Sequence, residues 1–304
     1  MGPPPVIAPA GPRELEAAFR LIFRHVEEAE RETRVANGLH LVRQGELDPS
    51  CILVATEDGS PVGALACLPV PGASGLVWPP QALAGPRQAA IEDALVQQAS
   101  AWLRGRGIRL GQCLLSAEEL PLGEPLLRNG FTHVTSLCYM QHDLSPVPAP
   151  VDAGLCCVPY PELPGVAAFI ETLLRTYEGT QDCPEITGVR GPEEILAGHR
   201  AQGKHDPRRW WLALSEGRPV GVLLLSEVPE WAALDVAYVG VVPEARGRGH
   251  GRALMHRALA EARADGVARL TLSVDVRNRP AWALYTDMGF TPNDRREVFL
   301  AIWR

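Results

Sequence analysis

Short phrases in this chain return at a nearly constant distance. EDGSPVG at 57–63 comes back as SEGRPVG at 215–221, an offset of 158. LLRNGF at 126–131 corresponds to YTDMGF at 285–290, and Gly107-Ile108 to Gly266-Val267, both at an offset of 159. Three matches at nearly one offset describe a duplication whose period is a whole domain. A length of 304 residues suits about two domains of ordinary size. Punctuation in the chain places their limits. Residues 1–12 are proline-rich and are expected to form a flexible lead, with a first domain at 13–146. The stretch SPVPAPVDAG at 145–154 carries three prolines, which suits an extended connector over 147–154. A second domain follows at 155–304.

Hydrophobic periodicity predicts the same alternation of elements in both copies. In the first, helices are expected at 14–35 and 87–105, a short helix or turn at 121–129, and strands at 51–56, 62–68, 108–115 and 134–143, with an extended piece at 72–80. In the second, helices are expected at 163–177, 193–202 and 280–288, and strands at 210–214, 220–227, 268–274 and 298–303. Between these lies the stretch with the most chemistry, LDVAYVGVVPEARGRGHGR at 234–252. It begins as an apolar strand, stops at Pro243, and turns through glycines and arginines. Leu254, Met255, Ala258, Leu259 and Ala262 then recur with helical spacing. Gly247, Gly249 and Gly251 permit a tight turn with exposed N–H groups. The helix start behind them leaves further N–H donors open, and Arg246, Arg248 and Arg252 add positive charge suited to phosphate oxygens.

The turn is neither a Walker loop, since no lysine follows, nor a dinucleotide fingerprint after a first strand. Arg246-Gly247-Arg248-Gly249-His250-Gly251 resembles the [RQ]xxGx[GA] signature of the GNAT N-acetyltransferases, YVGVVPEA resembles that family's fourth strand, and NRPAWALYTDMGF at 278–290 resembles its closing motif. The resemblance covers about 156–304. It implies an α/β fold of two tandem GNAT-like acyltransferase domains, each a mixed, mainly antiparallel sheet flanked by helices. Opposite the signature, the first copy offers GLVWPPQALAGPRQ at 75–88, with few glycines and with Pro80 and Pro86 lacking N–H donors. It resembles a degenerate copy, leaving one active site in the second half. Tandem halves of this kind also resemble mycothiol synthase in architecture, an enzyme that acetylates an amine on a cysteinyl–sugar conjugate.

The resemblance implies acetyl transfer from acetyl-CoA to a primary amine by direct attack. It places the phosphates on residues 246–252, including His250, and the pantetheine arm along the main chain of Val241 and Val242, with Asn278 also touching it. Tyr285 is the implied general acid for the leaving sulfur. For the base the sequence leaves Asp235, Glu227 or Glu230, and water open. Alternation puts Asp235, Ala237, Val239 and Val241 on one strand face unless a bulge intervenes. Glu178, Asp182 and Glu185 give the loop at 176–194 an acidic character suited to an amine-bearing acceptor. Trp210, Trp211 and Trp231 are further candidates for the cleft wall. The acceptor is expected to be a small molecule, with a protein amine as the alternative. Two other functions stay open: a non-catalytic acyl-CoA-binding module, and transfer of another acyl group.

Composition narrows the remaining classes. A formal net charge of -7 argues against a general nucleic-acid binder, and no basic face with interspersed aromatics occurs. No apolar stretch is long enough to span a membrane, and the start lacks the apolar core of a secretory signal. Seven cysteines without a CxxC are read as free thiols of a cytoplasmic protein. No HExxH or other metal spacing is present, so no metal is expected. The sequence says nothing of oligomeric state.

Overall fold

The computed structural model describes residues 5–146, 149, 153–163 and 165–303. It divides into two compact units, Met1–Val134 with Glu297–Arg304, and Thr135–Arg296.

The first unit contains β1 (Val6–Pro9), α1 (Leu15–Ile22), α2 (Glu28–Gln44), β2 (Ile52–Glu57), β3 (Ser60–Val70), β4 (Ser74–Val77), β5 (Gln81–Ala82), α3 (Gln88–Arg104), β6 (Leu110–Leu115) and α4 (Glu124–Arg128). It also contains the first residues of β7 (Thr132–His142). Its strands run in the order β1-β2-β3-β4-β6, antiparallel except for the parallel β4–β6 pair. β6 takes a second, antiparallel partner from Glu297–Ile302 at the end of the chain. One face buries Phe19 and Ile22 of α1 over Ile52, Val54 and Ala64. The other buries Ile91, Leu95 and Leu103 of α3 with Leu53, Leu65, Phe299 and Ala301.

Two expectations for this unit are corrected. The lead at 1–12 is not wholly flexible, because Val6–Pro9 pairs with Leu53–Thr56 of β2. The single helix at 14–35 is two helices. The chain turns between them, with Arg24 N–H on the Leu21 carbonyl and Val26 N–H on that of Phe23. Glu28 and Glu30 then occupy the first turn of α2, where carboxylates favour a new helix start.

The second unit contains the rest of β7, β8 (Leu155–Pro159), α5 (Ala167–Thr176), α6 (Pro192–Arg200), β9 (Trp210–Ser215), β10 (Arg218–Val228), β11 (Ala233–Val241), α7 (His250–Ala264), β12 (Arg269–Asp275) and α8 (Arg279–Asp287). The last strand, β13 (Thr291–Ile302), begins in it. The order is β8-β9-β10-β11-β12-β7, antiparallel except for the parallel β11–β12 pair. α5 and α6 pack Phe169, Leu173 and Leu196 on Trp210 and Leu224. On the opposite face α7 and α8 pack Leu254, Met255, Leu259 and Tyr285 with Leu223, Leu234, Leu270 and Met140.

The unit limits differ from the expected domains 13–146 and 155–304. The reason is register. Leu137–His142 of β7 lies opposite Leu270–Asp275 of β12, which carries Cys138 and Met140 into the α7–α8 core. Glu297–Ile302 lies opposite β6, which carries Phe299 and Ala301 into the α3 core. The connector expected at 147–154 falls mostly outside the described residues. Among the described residues no helix is long and apolar enough to cross a membrane.

Candidate functional site

Two irregularities among the strands of the 135–296 unit open a cleft. β11 and β12 are in register only from Ala233–Asp235 against Arg269–Thr271, and beyond Asp235 the two strands part. On its other edge β11 carries a bulge. Tyr238 pairs with Leu224 and Val236 with Leu225, so Ala237 is the extra residue. Past the bulge the alternation is reset, and Val239 and Val241 pack towards α7 and α8 while Ala237 and Tyr238 lie on the α5–α6 side.

The cleft is lined by Val239, Gly240 and Val241 of β11, by the turn that follows, by the first residues and Tyr285 of α8, and by the loop after α5. The turn is built on backbone freedom. Gly247 and Gly249 have φ of 75° and 84°, where any other residue is strained, and no atom lies within 4 Å of a Cβ added at either. Gly249 is the N-cap of α7 and supplies no side-chain cap. The first N–H groups of α7 therefore keep their hydrogen-bonding capacity for a ligand. His250 is buried and lines the cleft, and its Nδ1 has no hydrogen-bond partner among the described residues. An anion-binding helix start beside an orphaned polar nitrogen fits the phosphates of a coenzyme.

The arginines divide their work. Arg246 lines the cleft, but its guanidinium is turned onto main-chain carbonyls. Nε donates to Val241 O at 3.0 Å, Nη2 to Thr176 O at 3.0 Å and Glu178 O at 2.7 Å, and Nη1 to Gly179 O at 3.4 Å. It ties the end of β11 to the end of α5. Arg252 pairs with Asp287 at 3.0 Å. Arg248 is exposed. Gly251 and Asn278 line the cleft, and Asn278 also caps α8 by accepting the Ala281 N–H at 3.3 Å. Val241 lines the cleft too. Val242 is buried, its N–H given to Val220 O at 2.9 Å and its carbonyl taken by Ala245 N–H at 3.0 Å. Both of its main-chain groups are thus engaged within the protein.

Tyr285 lines the same cleft as the glycine turn. It is 7% exposed, and its hydroxyl has no hydrogen-bond partner among the described residues. Burial, then the nearby Asp182 and Tyr238, push its pKa well above the ordinary tyrosine value, so it holds its proton. Tyr238 is raised chiefly by burial, and its hydroxyl meets Thr176 Oγ1 at 2.8 Å.

The three carboxylates considered as bases do not line this cleft. Asp235 precedes the bulge and therefore does not share a face with Val239 and Val241, contrary to simple alternation. It accepts a hydrogen bond from Thr271 Oγ1 at 2.6 Å, and burial raises its pKa against that bond. Glu227 pairs with Lys204 at 3.1 Å. Glu230 is exposed on the short turn Pro229–Trp231. Trp210 and Trp211 are core residues, and Trp231 is 61% exposed.

Of the acidic loop, Asp182 alone faces the cleft as a side-chain carboxylate. Its Oδ1 accepts the Asp275 N–H at 3.3 Å. Asp275 is fully buried and in turn accepts from Cys183 N–H at 3.0 Å, Thr135 Oγ1 at 2.6 Å and Arg277 Nη2 at 2.7 Å, while Arg277 Nη1 reaches Glu185 at 2.6 Å. Asp182, Cys183 and Asp275 hold ligand-type atoms within 4.8 Å of one another. The Asp275 oxygens are already committed to these donors, so the trio anchors the loop to β12. The sequence marked Asp182 only as part of an acidic wall, and nothing in it pointed to Asp275 as the anchor.

The family described as Acetyltransferase (GNAT) matches residues 173–290. A mycothiol acetyltransferase of Beutenbergia cavernae is 35% identical over 219 residues, covering 62% of this chain and 70% of that one. This chain belongs to the GNAT acetyltransferase family. A second GNAT relative, the mycothiol acetyltransferase of Segniliparus rotundus, is 31% identical and covers 68% of this chain and 83% of its own. Among solved structures, a GCN5-related N-acetyltransferase from Sphaerobacter thermophilus shares the fold with a TM-score of 0.61 at 23% identity, covering 99% of this chain and 96% of the other. A tandem GNAT protein from the clavulanic acid biosynthesis pathway does so with a TM-score of 0.52 at 18% identity, covering 98% of each chain.

Proposed function

We propose that this GNAT protein transfers the acetyl group of acetyl-CoA to a primary amine by direct attack, at one site in the 135–296 unit. The observation that carries the reading is a single cleft lined both by an open helix N-terminus and by a tyrosine that keeps its proton. Acetyl-CoA, when bound, supplies an acetyl group activated as a thioester. The glycine turn and the start of α7 hold its phosphates through N–H groups, with Arg248 adding charge from the surface. Val239, Gly240 and Val241 offer strand main chain to the pantetheine arm, and Asn278 flanks it from α8. Tyr285 gives a hydrogen bond, and then its proton, to the departing sulfur.

The two units are read as tandem GNAT-like domains with the first degenerate. Its β4–β6 pair is parallel and α3 lies between the two strands in the chain, as α7 lies between the parallel β11 and β12. The cleft at the start of α3 is lined by Pro80 and Pro86, which lack N–H donors, and by the carboxylates of Glu92 and Glu124, while its cation, Arg128, is paired with Asp93 at 2.9 Å. The seven cysteines are free thiols, which supports a reducing, cytoplasmic setting. The acceptor is read as a small amine.

The test is release of free thiol from acetyl-CoA in the presence of a panel of amines, including the amine precursor of mycothiol, amino sugars, polyamines and peptide N-termini. Amine-dependent release supports the reading. Calorimetric binding of acetyl-CoA without release on any amine would make the site a coenzyme sensor. Faster release from succinyl-CoA or a longer acyl-CoA would change the acyl group.

A further inference from the structure

Asp182, on the loop between α5 and α6, lines the cleft with Tyr285, and its charge acts on the tyrosine. We infer that Asp182 is the general base that takes the proton from the acceptor amine. The inference rests on the acetyl-transfer reading above and assigns the role that the sequence left open among Asp235, Glu227, Glu230 and water.

Position is the first argument. Asp182 lines the same cleft as Tyr285, Tyr238 and Gly240, whereas Asp235, Glu227 and Glu230 do not. The Asp182 charge reaches the Tyr285 hydroxyl strongly enough to help keep it protonated. A reaction here needs a proton acceptor on the nitrogen side and a proton donor on the sulfur side of one carbonyl carbon. Asp182 and Tyr285 supply that pair within one pocket. Tyr285 as a residue is nine-tenths buried and lines the cleft, and no hydrogen bond to its hydroxyl is made among the described residues, so it marks the place where a ligand atom completes the hydrogen bonding.

Anchoring is the second argument. The Asp275–Arg277–Glu185 network fixes the loop at Cys183 and Glu185, on either side of a tight turn. Cys183 sits at φ 42°, a left-handed conformation uncommon for a residue with a side chain, and its N–H is held by Asp275 Oδ2. Asp182 N–H is given to Thr180 Oγ1 at 3.1 Å. The backbone around Asp182 is therefore fixed from both sides. Its Oδ1 meets the Asp275 N–H, leaving Oδ2 for an amine. Asp275 is thus a positioning residue.

The groups facing Asp182 set its affinity for protons. Burial raises it most, the Asp275 charge raises it further, and the Asp275 N–H and Arg277 lower it, giving a pKa of about 6. Tyr238, Tyr285 and Tyr177 face it from β11, α8 and the end of α5, all with raised pKa and all neutral, and the Cys183 thiol beside it is pushed up to about 12. Asp182 is ionised at neutral pH and can accept a proton there, while His250, the other basic group that lines the cleft, belongs to the glycine turn. The proton balance follows. The amine nitrogen bonds to the acetyl carbonyl carbon, the carbon–sulfur bond breaks, the nitrogen's proton goes to Asp182, and the sulfur takes one from Tyr285.

The experiment is the pH dependence of kcat and kcat/KM for the full chain, comparing the wild type with Asp182→Asn, Asp182→Glu and Asp235→Asn, and with acetyl-CoA affinity measured calorimetrically for each. Asn keeps an oxygen for the Asp275 N–H, so Asp182→Asn removes the base and not the anchor. Asp182→Asn should lower kcat about 100-fold or more, erase the rising limb near pH 6, and keep coenzyme affinity within about two-fold. Asp182→Glu should regain part of kcat together with a rising limb. A limb that survives in Asp182→Asn but vanishes in Asp235→Asn overturns the inference. So does loss of coenzyme affinity equal to the loss of kcat, which would mark a structural role. Absence of thiol release by the wild type itself overturns the acetyl-transfer reading, and the base assignment with it.

Discussion

At the scale of single residues, hydrogen-bond partners decide what a conserved-looking motif can do. Arg246 sits in the signature where a phosphate ligand is expected, yet its fork is spent on the carbonyls of Val241, Thr176, Gly179 and Glu178. Arg246→Ala should therefore destabilise the unit by about 2 kcal/mol, within the range for hydrogen bonds to a charged group. It should weaken coenzyme binding indirectly, by releasing the turn. Arg248→Ala should leave the melting temperature unchanged and weaken acetyl-CoA binding a few-fold, with an effect that fades as salt is raised. Equal melting temperatures for the two variants would reject this division. Tyr285→Phe should lower kcat by about 100-fold with coenzyme affinity unchanged. The ring packs on Phe290, with centroids 5.9 Å apart, and Phe preserves that contact. An unchanged kcat would remove the acid role.

At the scale of elements, the anchor of the α5–α6 loop ties acid stability to the site. Burial pushes the Asp275 carboxyl up, but the bonds from Arg277, Thr135 and the Cys183 N–H outweigh it and hold the pKa at about 2. The folded value lies below the ordinary 3.8, so the unfolded chain binds this proton more readily. The stability Asp275 adds is present in full above about pH 4 and is lost as pH falls through about 2, amounting to about 2 kcal/mol. Asp275→Asn should lose that amount at pH 7 and flatten the dependence of stability on pH between about 4 and 2, measured by urea unfolding. An unaltered acid slope would show that the anchor is not built on this charge. The elements themselves were largely legible, because the strand, the glycine turn and the helix after it each carry a local period or a φ requirement. The side of β11 that Asp235 occupies was not legible. It depends on one extra residue, Ala237, whose effect is visible only in the register with Leu224 and Leu225. Nor was the role of Asp182, because its neighbours Asp275 and Tyr285 are about a hundred residues away in the chain and are brought to it by the sheet.

At the scale of the molecule, phrases that recur at one offset were legible but the partition of the chain was not. Periodicity reads which residues form a strand. It does not read which neighbour that strand pairs with, and the choice of β12 as partner for β7 is a non-local outcome of packing. That choice has a measurable consequence. A fragment of residues 155–304, the second domain as the sequence delimits it, lacks β7 and with it Cys138, Met140 and Leu144 of the α7–α8 core. Burying Met140 and Leu144 is worth about 1.5–3 kcal/mol each, a large part of the roughly 5–15 kcal/mol that separates a folded domain from its unfolded chain. β12 would also be left with an unpaired edge, which invites pairing between chains. The 155–304 fragment should aggregate or lack a cooperative melt. A fragment of residues 135–296 keeps β7 opposite β12 and all the residues that line the cleft, and should melt cooperatively and bind acetyl-CoA. The opposite result, a stable 155–304 fragment that binds the coenzyme as the full chain does, would show that β7 is dispensable to this core.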